Sequence, residues 1–354
     1  MRDIDVHGND LVIATHGRAF WIMDDVSPLR QLDATLANAT TWLFAPATIQ
    51  RLRPSGFTGS PMPRDEPLAL NPPDGAYLDY ALKTASSKPI TLTIFDAQGG
   101  LVRRYSSADA APKLDLTKLD VAPEWFESPT MLSTGAGMHR FVWPLRYAAA
   151  PALADDNVYA NGVWAPPGKY SVELSVDGER KTQSFSVEAD SRISLPQAAY
   201  AQQFELARKL ETSRAQLATA NREAEKLDKA LIAQREKADP KIAKNIDLLR
   251  AHIAEITGTH DPANPGNLWY LPPKSVSSLR YLGAALDKLD LAVSNVDAAP
   301  TADAKTGYAK LDASLAKTLA EWQQAKDNEL VALNMQLQAA KQPEIVLDKI
   351  MLDK

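Results

Sequence analysis

Glu124 and Glu127 bracket an aromatic pair, Trp125-Phe126. Two acids around a flat apolar platform suit glycoside hydrolysis. That reaction needs its carboxyl groups about 5–5.5 Å apart for retention, or about 6.5–9.5 Å apart for inversion. Glu124 and Glu127 are the candidate catalytic acids, against the plainer reading of a solvated loop. Asp24 and Asp25 are a second acidic pair. Neighbours on a strand point to opposite faces, so these two read as a strand-end turn. His16 and Arg18 flank Gly17 in a tight turn, where the planar fork of Arg18 suits a carboxylate. Both are candidate ligand contacts, with turn geometry as the alternative. Trp164, just before Pro166-Pro167, is a candidate stacking surface for a sugar ring, as is Trp125. Trp143 shares a strand face with Phe141 and Leu145 and reads as core.

Metal and cofactor chemistry find little material. His252, His260 and Asp261 are the right types for zinc, but a helix stop falls between them. Asp155-Asp156-Asn157 offers oxygens without the spacing of a calcium loop. The expectation is no metal and no cofactor. There is no phosphate-cradling glycine loop, nucleophile elbow or zincin motif. With no cysteine in 354 residues, disulfides, thiolate metal sites and cysteine nucleophiles are excluded. A net charge of -5 argues against a nucleic-acid partner, which calls for a basic face.

These residues hang on three compositional zones. Asp10 to Thr15 and Ala19 to Asp25 read as two strands around a glycine turn, a hairpin too small to stand alone. No strand pattern follows for some time, so residues 1–30 look like the end of a sheet that begins elsewhere. Residues 31–70 read as a connector, with a short helix between Gln31 and Thr40 and an irregular stretch rich in Pro, Gly and Arg. Residues 71–190 alternate as short strands. Tyr170, Val172, Leu174 and Val176 form the clearest apolar face, and Asp177-Gly178 signals a type I′ hairpin. The pattern predicts an immunoglobulin- or fibronectin-like β-sandwich.

From Ser194, a candidate N-cap with Pro196 in the first turn, apolar residues recur at three- and four-residue steps. Residues 194–342 are predicted to be an antiparallel helical bundle. Its first helix runs to Asp239-Pro240 and its second, from Ile242, ends at Gly258. The third covers Val276 to Val296, and the last runs from Tyr308 to Leu337. Trp269-Tyr270 reads as a cap on one end of the bundle. The tail, residues 343–354, is expected to add a strand at Glu344-Ile345-Val346-Leu347.

Several segments together resemble one family. Asp10 to Asp25, with Thr15-His16-Gly17-Arg18 at its centre, resembles the last blade of bacterial BNR-repeat, sortilin-like β-propeller proteins, usually labelled glycosyl hydrolases. Asn71-Pro72-Pro73-Asp74-Gly75-Ala76, Trp143-Pro144-Leu145-Arg146-Tyr147 and Pro167-Gly168-Lys169-Tyr170 are similar to the accessory sandwich that follows the propeller. Ala19 stands where the family often has a second glycine, and no Ser-x-Asp-x-Gly-x-Thr-Trp repeat is present.

The resemblance implies a multidomain α and β chain: a remnant propeller-blade hairpin, a sandwich and a helical bundle. It implies a non-catalytic accessory region for assembly or recognition, whose partner is the N-terminal propeller of the same protein. The alternatives are glycosidase activity that needs that propeller, and a carbohydrate-binding module contacting a glycan. A periplasmic or extracellular location follows if the parent carries a signal peptide. None is visible here, because Met1-Arg2-Asp3 leads into an alternating strand, and if Met1 is the true start the expectation is cytoplasmic. No apolar run reaches the roughly 20 residues of a membrane span.

Overall fold

The computed structural model describes residues 2–53, 72–112, 116–118, 129–155, 157–258 and 277–347. Glu124, Glu127, Trp125, Asp156, His260, Asp261, Trp269 and Tyr270 lie outside them. Within them the protein is mixed α and β, with several sheets followed by a helical C-terminal region. It divides into two units: residues 1–149 with 157–200, and residues 150–156 with 201–354. Among the described residues no helix is long and apolar enough to cross a membrane.

The first unit opens with three antiparallel strands rather than the two expected: β1 (Asp3–His7), β2 (Asp10–Ala14) and β3 (Phe20–Met23), in the order β1-β2-β3. The register sets Ile4, Ile13 and Trp21 side by side, and Val6, Leu11 and Met23 beside them. Period-2 alternation therefore gathers all six on one face. The opposite face carries Asp3, Ala14 and Phe20 in one row and Asp5, Val12 and Ile22 in the next. Phe20 is 74% exposed and Trp21 62% exposed.

Helix α1 (Ala34–Asn38) follows, its first turn capped by the Asp33 carboxylate, which accepts from the Leu36 amide. The segment read as a connector then supplies two strands, β4 (Thr41–Leu43) and β5 (Ile49–Arg51). The strands β6 (Ala76–Leu82), β7 (Thr91–Asp96), β8 (Leu101–Ser106), β9 (Gly137–Trp143), β10 (Arg146–Ala148), β11 (Asn161–Trp164), β12 (Gly168–Val176) and β13 (Glu179–Ala189) complete three further sheets. One has five strands in the order β5-β13-β12-β7-β8, one three in the order β4-β6-β9, and one is the pair β10-β11. Asp177 and Gly178 have φ of 49° and 91°, the double positive φ of a type I′ turn, and pair Val176 with Glu179. The five- and three-stranded sheets share an aromatic core. Trp143 is fully buried against Tyr170 at 5.4 Å and Phe185 at 6.0 Å, and Tyr105 meets Phe141 at 4.6 Å.

The second unit takes in the short α2 (Pro151–Ala154) and most of the 39-residue α3 (Gln197–Arg235). Helix α3 starts after Pro196 and not at a Ser194 cap, because a proline drives its preceding residue out of the helical region. The helix break expected at Asp239-Pro240 is present, and Asp239 also caps α4 (Pro240–Thr257), its Oδ1 accepting from the amides of Lys241 and Ile242. Helices α5 (Leu279–Ser294), α6 (Ala302–Gln324) and α7 (Val331–Ala339) follow. The expected last helix is interrupted by a π-helical segment, Ala325–Leu330. Leu210, Leu227, Ile246, Leu279, Leu286 and Leu337 are fully buried in one core shared by α3, α4, α5 and α7. The tail forms no strand through residue 347. Instead the Asn334 amide donates to the Ile345 carbonyl and accepts from its N–H, both at 2.9 Å, satisfying groups a sheet edge would otherwise hold.

Candidate functional site

Arg140 fastens the end of the N-terminal sheet to β6 and β9. Arg140 of β9 stands directly across from Asp79 of β6. Its Nε and Nη2 donate to the two Asp79 carboxylate oxygens at 2.9 and 3.0 Å, while Nη1 and Nη2 donate to the carbonyls of Asp24 and Asp25 at 2.7 and 2.8 Å. The guanidinium lies over the Tyr77 ring at 4.4 Å. Burial pushes the Asp79 carboxyl above its ordinary value, against the pull of Arg140. For Arg140 burial acts downward, but the bonds to Asp79 prevail and its pKa is raised. Asp24 and Asp25 thus serve through their carbonyls, at a turn where Asp25 has φ 50° and its amide donates to Asp10. Arg30 adds bonds to Asn9 and Gly8, and Gln31 exchanges two hydrogen bonds with the Ala45 backbone.

The ligand candidates each have partners of their own. His16 is exposed, with Nδ1 3.2 Å from Arg2, and the Arg18 carbonyl accepts from the Trp21 indole at 3.1 Å. Thr15 donates its amide and hydroxyl to the Ala19 carbonyl, and Ala19 has φ 56°. Trp164, half-buried on β11, is ringed by Arg146, Arg53 and Arg51 at 4.4, 5.0 and 5.7 Å from its centroid. Cations on the indole face stabilise it there and occupy surface that a sugar ring would use.

A third place escaped the sequence reading. A groove of about 620 Å³ runs between α3 and α6. At its floor the Ser213 hydroxyl, 2% exposed, donates to Asp312 Oδ1 at 2.9 Å and lies 3.2 Å from the Tyr308 hydroxyl. Tyr308 donates to the same carboxylate oxygen at 3.1 Å, and burial raises its pKa. Acyl transfer by serine needs a base oriented on Oγ and an oxyanion hole. Here a single carboxylate oxygen takes both hydroxyl protons, and no histidine lines the groove among the described residues. The arrangement pins α3 to α6. In sequence it appears only as polar residues on helix faces that otherwise read as solvated.

Metal chemistry finds no centre among the described residues, where no group of three potential ligands could hold an ion. Asp155 is bonded to Arg222 at 2.6 Å, and Asn157 Oδ1 accepts from the Tyr159 amide. His252 meets Glu329 at Nδ1 and Glu321 at Nε2, so the two carboxylates lie on different edges of the ring. No family model matches the chain, and the comparison with curated proteins gives no match.

Proposed function

We propose that the chain is the C-terminal accessory region of an exported BNR-repeat, sortilin-like propeller protein, serving assembly or recognition and catalysing nothing itself. In this reading residues 1–30 belong to the last blade, 71–190 to an immunoglobulin-like sandwich and 194–342 to an antiparallel helical bundle. One observation carries the proposal. Leu11-Val12-Ile13-Ala14 and Phe20-Trp21-Ile22-Met23 are unbroken apolar runs, the signature of strands covered on both faces, yet β3 is exposed along its whole length. A propeller blade has such cover, supplied by the blades on either side. Positive φ at Ala19 adds support, since this is where the family often carries glycine. The aromatic contacts around Trp143 favour a sandwich, and the shared leucine and isoleucine core favours a bundle.

The partner is then the upstream propeller of the same polypeptide, and the work of this region is to seat and extend it. The reading frame upstream of the Met1 codon tests this first. Blade-like repeats running in frame into Met1 are expected; an in-frame stop just ahead of it sinks the proposal. In the extended protein, iodide quenching of Trp21, isolated by difference against Trp21→Phe, should fall sharply from its level in the chain alone. Undiminished quenching would count equally against the proposal.

A further inference from the structure

Helix α4 presents His252 to the place where α6 gives way to the π-helical segment Ala325–Leu330. Nδ1 lies 2.7 Å from Glu329 Oε1 and Nε2 lies 3.5 Å from Glu321 Oε1. Ionised carboxylates only accept, and a neutral imidazole carries a single N–H. Only the imidazolium can donate to both. The backbone that holds the pair is itself unusual. Ala325 and Leu330 are both buried, five residues apart. Five α-helical steps would leave them about 140° out of phase, whereas the wider i→i+5 turn brings them much closer in phase. The same widened turn carries Glu329.

Several other charges on these helices are engaged elsewhere. Lys326 of the π segment reaches Glu223 of α3 at 2.6 Å. On α4, Arg250 pairs with Asp228 and Asp247 with Arg235, both partners on α3. Asp287 and Asp290 of α5 hold Arg214 of α3. Helix α7 meets α4 through the uncharged pair Asn245–Gln336. Glu329 and Glu321 are the charges that act on His252.

We propose that His252 is a proton-operated clasp that holds the π segment in register against α4. Protonated, it bridges Glu321 and Glu329. Deprotonated, it keeps one bond at most and leaves a lone pair facing a carboxylate, which loosens this rung. Burial lowers the His252 pKa, but the two carboxylates outweigh it and the net direction is up. A group raised in the folded state contributes fully below its unfolded value, about 6.5, and that contribution is lost as pH rises through the folded value.

The test uses the full chain. The His252 ring, one of five histidines, is assigned by NMR against His252→Gln and titrated. A pKa above the ordinary histidine value is expected, brought down by Glu329→Gln. Hydrogen exchange of the 325–330 amides, corrected for intrinsic rate, should quicken with rising pH. The gain should be about tenfold per pH unit separating the folded from the unfolded pKa. In His252→Gln the same amides should exchange fast at every pH. A His252 pKa at or below the ordinary value, or pH-independent protection of residues 325–330 in the native chain, overturns the proposal. So does a Glu329→Gln variant that leaves the pKa unmoved.

Discussion

Arg140 and Asp79 form a two-pronged pair across β9 and β6, at 2.9 and 3.0 Å, with Asp79 only 3% exposed. The remaining guanidinium donors hold the carbonyls of Asp24 and Asp25, so one side chain joins a buried charge to the end of β3. Arg140→Met removes both jobs. A buried carboxylate left without its cation typically costs about 3–5 kcal/mol. Chemical denaturation at neutral pH should show a loss of that order. Asp79 already has a raised pKa, and without Arg140 it rises further, so protonation relieves the stranded charge. The loss should shrink as pH falls through that raised value. A loss that is equal at pH 4 and pH 7 would refute the account.

The turn before β3 carries its own strain. Ala19 sits at φ 56°, a region that costs an L residue with a Cβ roughly 1 kcal/mol relative to glycine. Ala19→Gly should therefore stabilise the N-terminal sheet by somewhat less than that, since glycine also gains freedom in the unfolded chain. Hydrogen exchange at the Thr15 amide, which donates to the Ala19 carbonyl, is the direct readout. Faster exchange in the variant would show that the turn is not strained.

What could be read in advance depended on how local the cause was. The type I′ turn at Asp177-Gly178, the alternation along β12 and the helix break at Asp239-Pro240 are set by residues within a few positions of one another. Each carries its cause in the sequence. Three-residue strands such as β4 and β5 are too short for a period to register, and tertiary pairing made them. The π segment left one trace, a gap between Trp322 and Leu330 in an otherwise regular apolar spacing, bridged by the small Ala325. Arg140 left none. Two of its partners are backbone carbonyls 115 and 116 positions away, and no residue type announces a carbonyl. The Ser213–Tyr308–Asp312 cluster was hidden for a similar reason, because its members lie on helices about 95 residues apart and each alone looks like a solvated polar residue.

Gly258 closes α4 at φ 77°, and its amide donates to Ala254. A Cβ there would come within 2.6 Å of the Ser278 hydroxyl, which caps α5 by accepting from the Tyr281 amide. Gly258→Ala thus meets both backbone strain and a collision with the neighbouring cap. A loss of more than about 1 kcal/mol is expected, above the usual penalty for Ala at a positive-φ position. Thermal unfolding of the full chain measures it. An unchanged melting temperature would mean the two helix ends are not tightly apposed.

Ser213→Ala asks whether the α3–α6 groove is a lock. The hydroxyl donates to Asp312 and its loss leaves Tyr308 alone on that carboxylate. Removing one partner from a buried hydrogen-bonded set costs about 1–3 kcal/mol. The loss should appear in denaturation. Asp312→Ala combined with Ser213→Ala should cost less than the two single changes summed, since both delete the same bond. Strict additivity would show that the two groups act independently.

The apolar face of the first sheet separates an uncovered blade from a surface built for water. Ile4, Ile13 and Trp21 form one row of that face, and Val6, Leu11 and Met23 the other. In the chain alone Trp21→Gln should change stability by no more than about 0.5 kcal/mol, as for exposed positions generally. It should also reduce concentration-dependent association by light scattering, because contiguous exposed apolar surface drives contact between molecules. If the proposed upstream blades pack on this face, the same substitution in the longer protein should cost about 2 kcal/mol or more, the scale of burying an aromatic side chain. The contrast between the two backgrounds is the diagnostic quantity. Equal, small effects in both would mean that nothing covers Trp21 in the longer protein, and the blade assignment would fall with it.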